Sequence, residues 1–315
     1  MPDVGTPTLD QLTVLVAVAE AGSFSAAARA LRRTQSVVSY TIANLEAQLG
    51  LTLFDRGQRR PVLTAGGRAV LGDARRVSAV IDELRARAIG LAGGLEAEVS
   101  LAVDVMFPTD RLVAALQAFA VAFPTVALRL RMEALGAVVQ LVLDRTCGLG
   151  IAGWMAKLYD TVDHIPLGVV ELVPVAAPAH RLAGLLRPLS AADLAQEMQL
   201  VLTDRSALTD GQDFGVLSSL TWRLGDLGAK HALLRAGLGW GNMPEPMVRE
   251  DIAAGRLVRL DLPSAGQQDF SLLLIHRHDA RPGRAGSWLA QRLLSDETLP
   301  KADVTSPARQ AAARA

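Results

Sequence analysis

The chain has little cysteine, few aromatics, no net charge and no long apolar run. One cysteine, Cys147, among 315 residues excludes an internal disulfide framework and any zinc or iron–sulfur site built from several thiolates, and it suits a reducing compartment. Aromatic residues make up 4%, so the core must be assembled from Ala, Leu and Val. The start Met1-Pro2-Asp3 lacks the basic residues of a signal peptide, and the apolar run Val14–Ala19 is too short for its hydrophobic segment. The stretch Leu112–Leu128 is interrupted by Gln117 and Pro124 and falls short of the roughly 20 apolar residues of a membrane helix. The expectation is a soluble, cytoplasmic protein with no membrane partner. With half its residues hydrophobic and a fifth charged, the chain has material for a sizeable core and is neither disordered nor collagen-like. Its length suggests about two to three domains.

Lys and Arg together number 32, as do Asp and Glu, but the charge is unevenly placed. Between Ser23 and Arg60 the cations Arg29, Arg32, Arg33, Arg56, Arg59 and Arg60 face only Glu46 and Asp55, a net +4. A local basic patch on a neutral chain is the footprint of a phosphate-binding module joined to something else. The same region reads as short helices. Leu12, Leu15 and Ala19 give Leu9–Glu20 one apolar face, Phe24–Leu31 is Ala-rich behind the break at Gly22-Ser23, and Arg32-Arg33-Thr34 is a tight connection. A third helix, Gln35 to Leu49, buries Val38, Ile42, Leu45 and Leu49 and ends at Gly50. Leu51–Leu63 follows as a β-ribbon wing tipped by Arg56, Arg59 and Arg60.

That order is a winged helix-turn-helix, an all-α unit with a small ribbon. Its third helix turns Ser36, Val37, Tyr40, Thr41 and Asn44 outward, with Gln35, Ser36 and Val37 at the end that usually meets base edges. Gln35 and Asn44 can read adenine, Val37 can meet a thymine methyl and Ser36 can donate to a phosphate at the helix N-terminus. The wing arginines suit phosphate or minor-groove contact. A small helical bundle with a solvated polar face is the competing reading.

From Thr64 to Ile89, Val70, Ala74, Val77, Ile81, Leu84 and Ala88 recur at alternating spacings of four and three, the seam of a helix that pairs with its own copy. The alternative is a helix packed on its own domain. After the hinge Gly90–Gly94, strands alternate with helices. The spacing predicts strands at Val99–Val105, Val126–Met132, Leu149–Gly153, 169–176, 199–203, Leu238–Gly241, Arg256–Leu260 and Ser271–His276. Helices are predicted at Asp110–Phe123, Gly136–Leu143, 190–196, Gly228–Ala236, Glu245–Ala253 and Gly283–Leu294. This is an α/β domain with a parallel or mixed sheet, followed by a polar tail, 296–315.

Three strings carry a resemblance: Ala21-Gly-Ser-Phe-Ser-Ala-Ala-Ala-Arg-Ala-Leu31, Thr34-Gln-Ser-Val-Val-Ser-Tyr-Thr-Ile-Ala-Asn-Leu-Glu46 and Leu49-Gly-Leu-Thr-Leu-Phe-Asp-Arg56. With Leu63-Thr64-Ala65-Gly66-Gly67 and, downstream, Phe119–Val126, Asp144–Ile151 and Ala229–Pro244, the chain resembles a LysR-type transcriptional regulator over essentially its whole length. The resemblance implies a DNA-binding domain over 1–63, a dimerising linker helix and hinge over 64–94, and an effector-binding domain over 95–295. That last domain would have two lobes like a periplasmic binding protein, one formed by about 95–161 and 268–295 and the other by about 162–267. The chain would cross between them near 161–165 and 262–268.

The implied partners are double-stranded promoter DNA, a small organic effector, RNA polymerase if the protein activates, and further copies of the chain, as a homodimer assembling to a homotetramer. Carried over by motif position, Gln35, Ser36, Ser39 and Tyr40 lie at the DNA, and Ser23 and Arg33 join the contact set. Arg is common in the family at the position of Tyr40, and Asp at that of Gly148, so the chain departs from the pattern at both.

Ligands of open α/β sheets lie outside the carboxyl ends of strands. This singles out Met106, Phe107 and Thr109 after the first strand of the α/β domain, Trp154 after Gly153, and Thr203, Asp204 and Arg205. Thr109 is expected to cap a helix and offer backbone amides to an anion, against which Asp104 and Asp110 act and Arg205 acts as offset. Other signals point away from catalysis, metal or cofactor. Cys147, between Leu143 and Leu149, reads as a buried small residue in preference to a redox sensor lacking a resolving partner. His276 and His278 share a strand face without an evident third ligand. The glycines around Trp240 follow a helix, the reverse of a phosphate loop. A small-molecule binding protein or an enzyme carrying an accessory DNA module remains the other class.

Overall fold

A computed structural model describes residues 6–55, 61–155, 159–185, 187–212, 214–262, 268–295 and 299–300. Arg56, Arg59 and Arg60 at the wing tip, the segment 263–267 of the second expected crossing, and the tail apart from Leu299 and Pro300 lie outside the described residues. The chain divides into two compact units, Met1–Ala92 and Gly93–Ala315.

In the first unit, helix α1, Leu9–Ala21, opens on a capping box: the Thr8 hydroxyl accepts from Gln11 N while Gln11 Oε1 takes Thr8 N at 2.8 Å. Helices α2, Phe24–Ala30, and α3, Gln35–Leu49, are capped by the hydroxyls of Ser23 and Thr34. Gly22 and Gly50 end α1 and α3 in the left-handed region, and Arg32 makes the tight turn before α3 at φ 54°. Strands β1, Phe54–Asp55, and β2, Val62–Leu63, pair antiparallel as the wing. Val14, Leu15 and Val18 of α1 meet Val38, Ile42 and Leu45 of α3 and Leu53, all without exposed surface. At about 1.5–3 kcal/mol for each buried aliphatic side chain, this cluster fixes α3 from beneath.

Helix α4, Ala65–Ala92, enters against the wing. The Thr64 hydroxyl donates to Thr52 O at 2.6 Å and accepts from Gly67 N at 2.9 Å. A Cβ at Gly67 would stand 2.1 Å from Leu53 O, so only glycine allows this approach. Leu71 and Ala74 join the core of the unit, whereas Val77, Val80, Leu84 and Ile89 are 38%, 61%, 59% and 74% exposed. Of the expected seam, Ala74 is therefore covered by the helix's own domain and Val70 and Ile81 are half-buried, whereas Val77, Leu84 and Ala88 are exposed.

The second unit holds a mixed sheet. Strands β3, Glu98–Asp104, β4, Ala127–Glu133, and β5, Leu149–Gly153, are parallel, with β3 central. Helices α5, Thr109–Ala122, and α6, Gly136–Leu143, connect them. In the other lobe β7, Gln199–Leu202, lies parallel between β8, Thr221–Leu224, and β9, Trp240–Pro244. Helix α7, Ala191–Ala195, precedes β7, helix α8, Leu227–Arg235, links β8 to β9, and α9, Glu245–Ala253, leads to β10, Val258–Arg259. Two long antiparallel strands, β6, Val162–Ala176, and β11, Gln268–Arg277, join the lobes, and α10, Arg284–Leu294, closes the fold.

The early half of β6 pairs with β11, which also borders β5, and its late half, Leu172–Ala176, pairs with β9. The register of β6 on β11 shifts at Leu272/Leu273, opposite Gly168 at φ +140°. Strand β6 thus starts at Val162, ahead of the strand start expected at 169, and takes in 162–165 of the expected first crossing. His164, Pro166 and Gly168 break the apolar alternation there and hide the strand from a pattern reading. Strand β8 has no sequence signal either: it is a four-residue edge strand with Trp222 half exposed, held by β7.

Candidate nucleic-acid interface and effector cleft

Helix α3 carries its apolar stripe inward and leaves Gln35, Ser36, Val37 and Tyr40 exposed, with Tyr40 at 68%. Ser39, Thr41 and Asn44 are half-buried along its flank. Thr34 Oγ1 lies 3.0 Å from Ser36 Oγ and accepts from Val37 N, and the Thr41 hydroxyl donates to Val37 O at 2.9 Å. Ser23 accepts from Ala26 N at 3.2 Å, so its oxygen is engaged in capping α2.

Arg33 is not a free cation. Its guanidinium forms a bidentate pair with Asp10 at 2.9 and 2.6 Å, and that contact holds the Asp10 carboxyl below the usual carboxylate range. The pair ties the turn before α3 to the first turn of α1 and neutralises one of the positives counted from sequence. Nothing in the sequence points to Asp10, which lies 23 residues away. Glu46 is a second group the sequence reading missed: its carboxylate accepts from Leu53 N at 2.7 Å and Phe54 N at 3.1 Å, fixing the wing to α3.

In the second unit, the residues expected at the carboxyl ends of strands divide into two sets. Met106 and Phe107 are core side chains, 6% and 2% exposed, and the amide of Met106 donates to Asp104 Oδ1 at 2.9 Å. Thr109 is exposed but does not cap: Pro108 occupies the cap position of α5 without a side-chain bond, and Thr109 is already the first helical residue. That corrects the expected role, because Pro108, with φ −59° and ψ 122°, already makes the turn into the helix.

The rest gather around Gly136 and the 203–209 segment. A Cβ at Gly136 would lie 2.6 Å from Ser206 Oγ and 3.0 Å from Asp204 Oδ2. Asp204 accepts from the hydroxyls of Ser206, at 2.6 Å, and Thr209. Thr203 N donates to Leu224 O at 2.8 Å. Arg205 is exposed and pairs with no carboxylate among the described residues. Trp154 meets Phe214 edge to face, ring centres 6.3 Å apart.

The sequence reading gave Asp104 only a flanking role. Its side chain is fully buried at the end of β3, accepting from Met106 N and, at 3.0 Å, Leu135 N. Burial, with a smaller push from the charge of Asp204 and against the two amides, raises its carboxyl to about 7. Leu135 itself sits at φ 50°, a costly conformation for a branched side chain that the contact to Asp104 helps to hold.

Elsewhere, Cys147 is buried and burial pushes its thiol up. His276 and His278 both face Asp163, at 3.7 and 3.2 Å; among the described residues no group of three His, Cys, Asp or Glu side chains is arranged to hold a metal ion.

A winged helix-turn-helix followed by an α/β domain built on a mixed sheet defines the class: a DNA-binding module joined to an α/β domain. Residues 9–68 match the family model described as "Bacterial regulatory helix-turn-helix protein, lysR family", and residues 92–297 match "LysR substrate binding domain". The chain is 30% identical to a probable HTH-type transcriptional regulator YhaJ of Escherichia coli K12, over 91% of this chain and 95% of that protein. It is 29% identical to the HTH-type transcriptional activator AllS of Klebsiella pneumoniae, over 79% and 93%. Among solved structures, a Corynebacterium glutamicum OxyR C206 mutant superposes with a TM-score of 0.51 at 20% identity, covering 92% of this chain and 93% of that one, a likeness of fold. The chain belongs to the LysR family of transcriptional regulators. It therefore joins a DNA-binding module to an effector-binding domain.

Proposed function

We propose that this regulator reads a pseudo-palindromic promoter site with paired α3 helices in the major groove. The observation that carries this is the exposed polar face of α3, Gln35, Ser36, Val37 and Tyr40, mounted on a core whose side chains are wholly buried. Ser39, Thr41 and Asn44 extend that face, Ser23 and Arg33 border it, and Arg56, Arg59 and Arg60 of the wing supply phosphate contact. The exposed seam positions of α4, Val77, Leu84 and Ala88, support pairing of two copies and their assembly into a homotetramer.

The effector is a small organic molecule bound between lobes formed by about 95–161 with 268–295 and by about 162–267. Trp154, Thr203, Asp204 and Arg205 line its site, with Thr109 at the rim and Met106 and Phe107 beneath it. Effector binding changes the promoter contacts, and RNA polymerase is a further partner if the protein activates. The chain works in the cytoplasm and without catalytic activity of its own.

A gel shift of the full chain on its own upstream DNA, at two salt concentrations and against a random duplex, tests the reading. Specific retardation that weakens steeply with salt is expected, and Ser36→Ala combined with Tyr40→Ala should abolish it while the second unit stays folded. Unchanged retardation by the double variant would refute the assignment of α3.

A further inference from the structure

Asp251 lies in the last turn of α9, with a side chain only 6% exposed. His231 Nε2 of α8 lies 2.6 Å from its Oδ2, Arg256 Nε bonds Oδ1, and Arg235 Nε of α8 stands 3.6 Å from Oδ1. The chain turns at Gly255, φ +67°, so that Arg256 comes back onto the carboxylate, and its own amide bonds Asp251 O at 2.8 Å. The buried carboxylate thus orients the Arg256 guanidinium by a hydrogen bond through Nε and holds Arg235 beside it in an ion pair. His231 and Arg256 already satisfy Asp251 and hold α9 to α8. That leaves the terminal Nη groups of Arg235 and Arg256 without an acceptor among the described residues, and no other described carboxylate pairs with either arginine.

Both side chains are about half exposed, 48% and 46%, and they line an open surface depression of about 450 Å³ together with Ala232 of α8 and Ala236, which caps that helix. Two alanines one helical turn apart keep the floor low, so a ligand can come down between the arginines. The local balance is two positive charges against one negative. Guanidinium forks held in place match the geometry of phosphate and carboxylate oxygens.

We propose that this depression is a second ligand site, outside the interlobe cleft, that takes the oxyanion group of a small metabolite between Arg235 and Arg256. Asp251 is a positioning residue for it. The site stands independently of the promoter and cleft readings.

The test is a calorimetric titration of the full chain with sodium phosphate and, separately, sodium succinate, at ionic strength held constant with sodium chloride. Saturable binding of at least one probe is expected, and whichever binds assigns the group as phosphate or carboxylate. Arg235→Gln leaves Asp251 its His231 and Arg256 partners and should weaken binding about tenfold or more. Arg256→Lys keeps the charge, loses the fork and should weaken it in the same direction. Phosphate also meets the DNA-binding surface, so the difference between wild type and variants is the readout. Equal binding by wild type and both folded variants, or no saturable binding of either probe, overturns the proposal. So does a changed sedimentation coefficient for Arg235→Gln, which would reassign the arginines to a contact between copies.

Discussion

Replacing Asp104 with asparagine removes a carboxyl group that has no exposed surface and sits where the end of β3 meets the 203–209 segment. The charge of Asp204 repels it, and its register partner on β4, Glu133, is also acidic. The fold raises its carboxyl from the ordinary 3.8 to about 7, so the native state favours the protonated form and the unfolded chain does not. The stability that this proton contributes is complete below pH 3.8 and is lost as pH rises through about 7. Between pH 5 and 7.5 the loss comes to about 2–3 kcal/mol for a shift of this size.

All four tryptophans, Trp154, Trp222, Trp240 and Trp288, lie in the second unit, so urea unfolding followed by tryptophan fluorescence reports on that unit alone. Asparagine offers one acceptor oxygen to two amides and carries a constant cost of about 1–3 kcal/mol. The pH dependence of the difference between wild type and Asp104→Asn is therefore the readout, and the wild type should lose its excess stability across that window. Parallel curves for the two proteins would mean that Asp104 is ionised at neutral pH and would refute the reasoning. Asp204→Asn should move the wild-type transition to lower pH, because a repelling charge is gone.

Three further outcomes follow from the first unit. Asp10→Asn frees Arg33 for a phosphate: the log–log salt dependence of DNA binding should steepen by about one per added contact, while stability changes little because the pair is largely exposed; an unchanged slope argues against Arg33 at the backbone. Gly67→Ala drives a methyl group into Leu53 O and should destabilise the unit by about 1–3 kcal/mol or more, seen as a lower melting temperature; an unaltered melt would contradict the packing of α4 on the wing. Leu84→Asp, on the exposed seam, should leave the fold intact and lower the sedimentation coefficient; a variant that sediments like wild type removes that seam from the dimer contact.

Local pattern made much of this chain legible. The helices of the first unit follow from caps and periodicity, and α3 begins at Gln35 and ends at Leu49 in the structure as in the sequence. Helix α6 and β5 likewise keep their expected limits, because a short apolar run between clear breakers leaves little freedom. The exposed face of α3 was legible for the same reason: burying Val38, Ile42 and Leu45 dictates which residues remain outside.

Features that depend on neighbours along the chain could be read from the residues alone: most caps, the helical faces, the alternation of strand and helix, and the family strings. Other features depend on partners far apart in the chain and emerge only on folding. Arg33 loses its free charge to Asp10, the seam of α4 is covered at Ala74 and open at Leu84, Thr109 yields the cap to Pro108, and β6 carries the chain between lobes through a stretch without alternation. Asp104 is the plainest case. Its titration reflects a lack of water and the approach of Asp204, and both arise only when β3, α6 and the 203–209 segment close around one carboxyl group, since desolvation and through-space charge belong to the assembled fold.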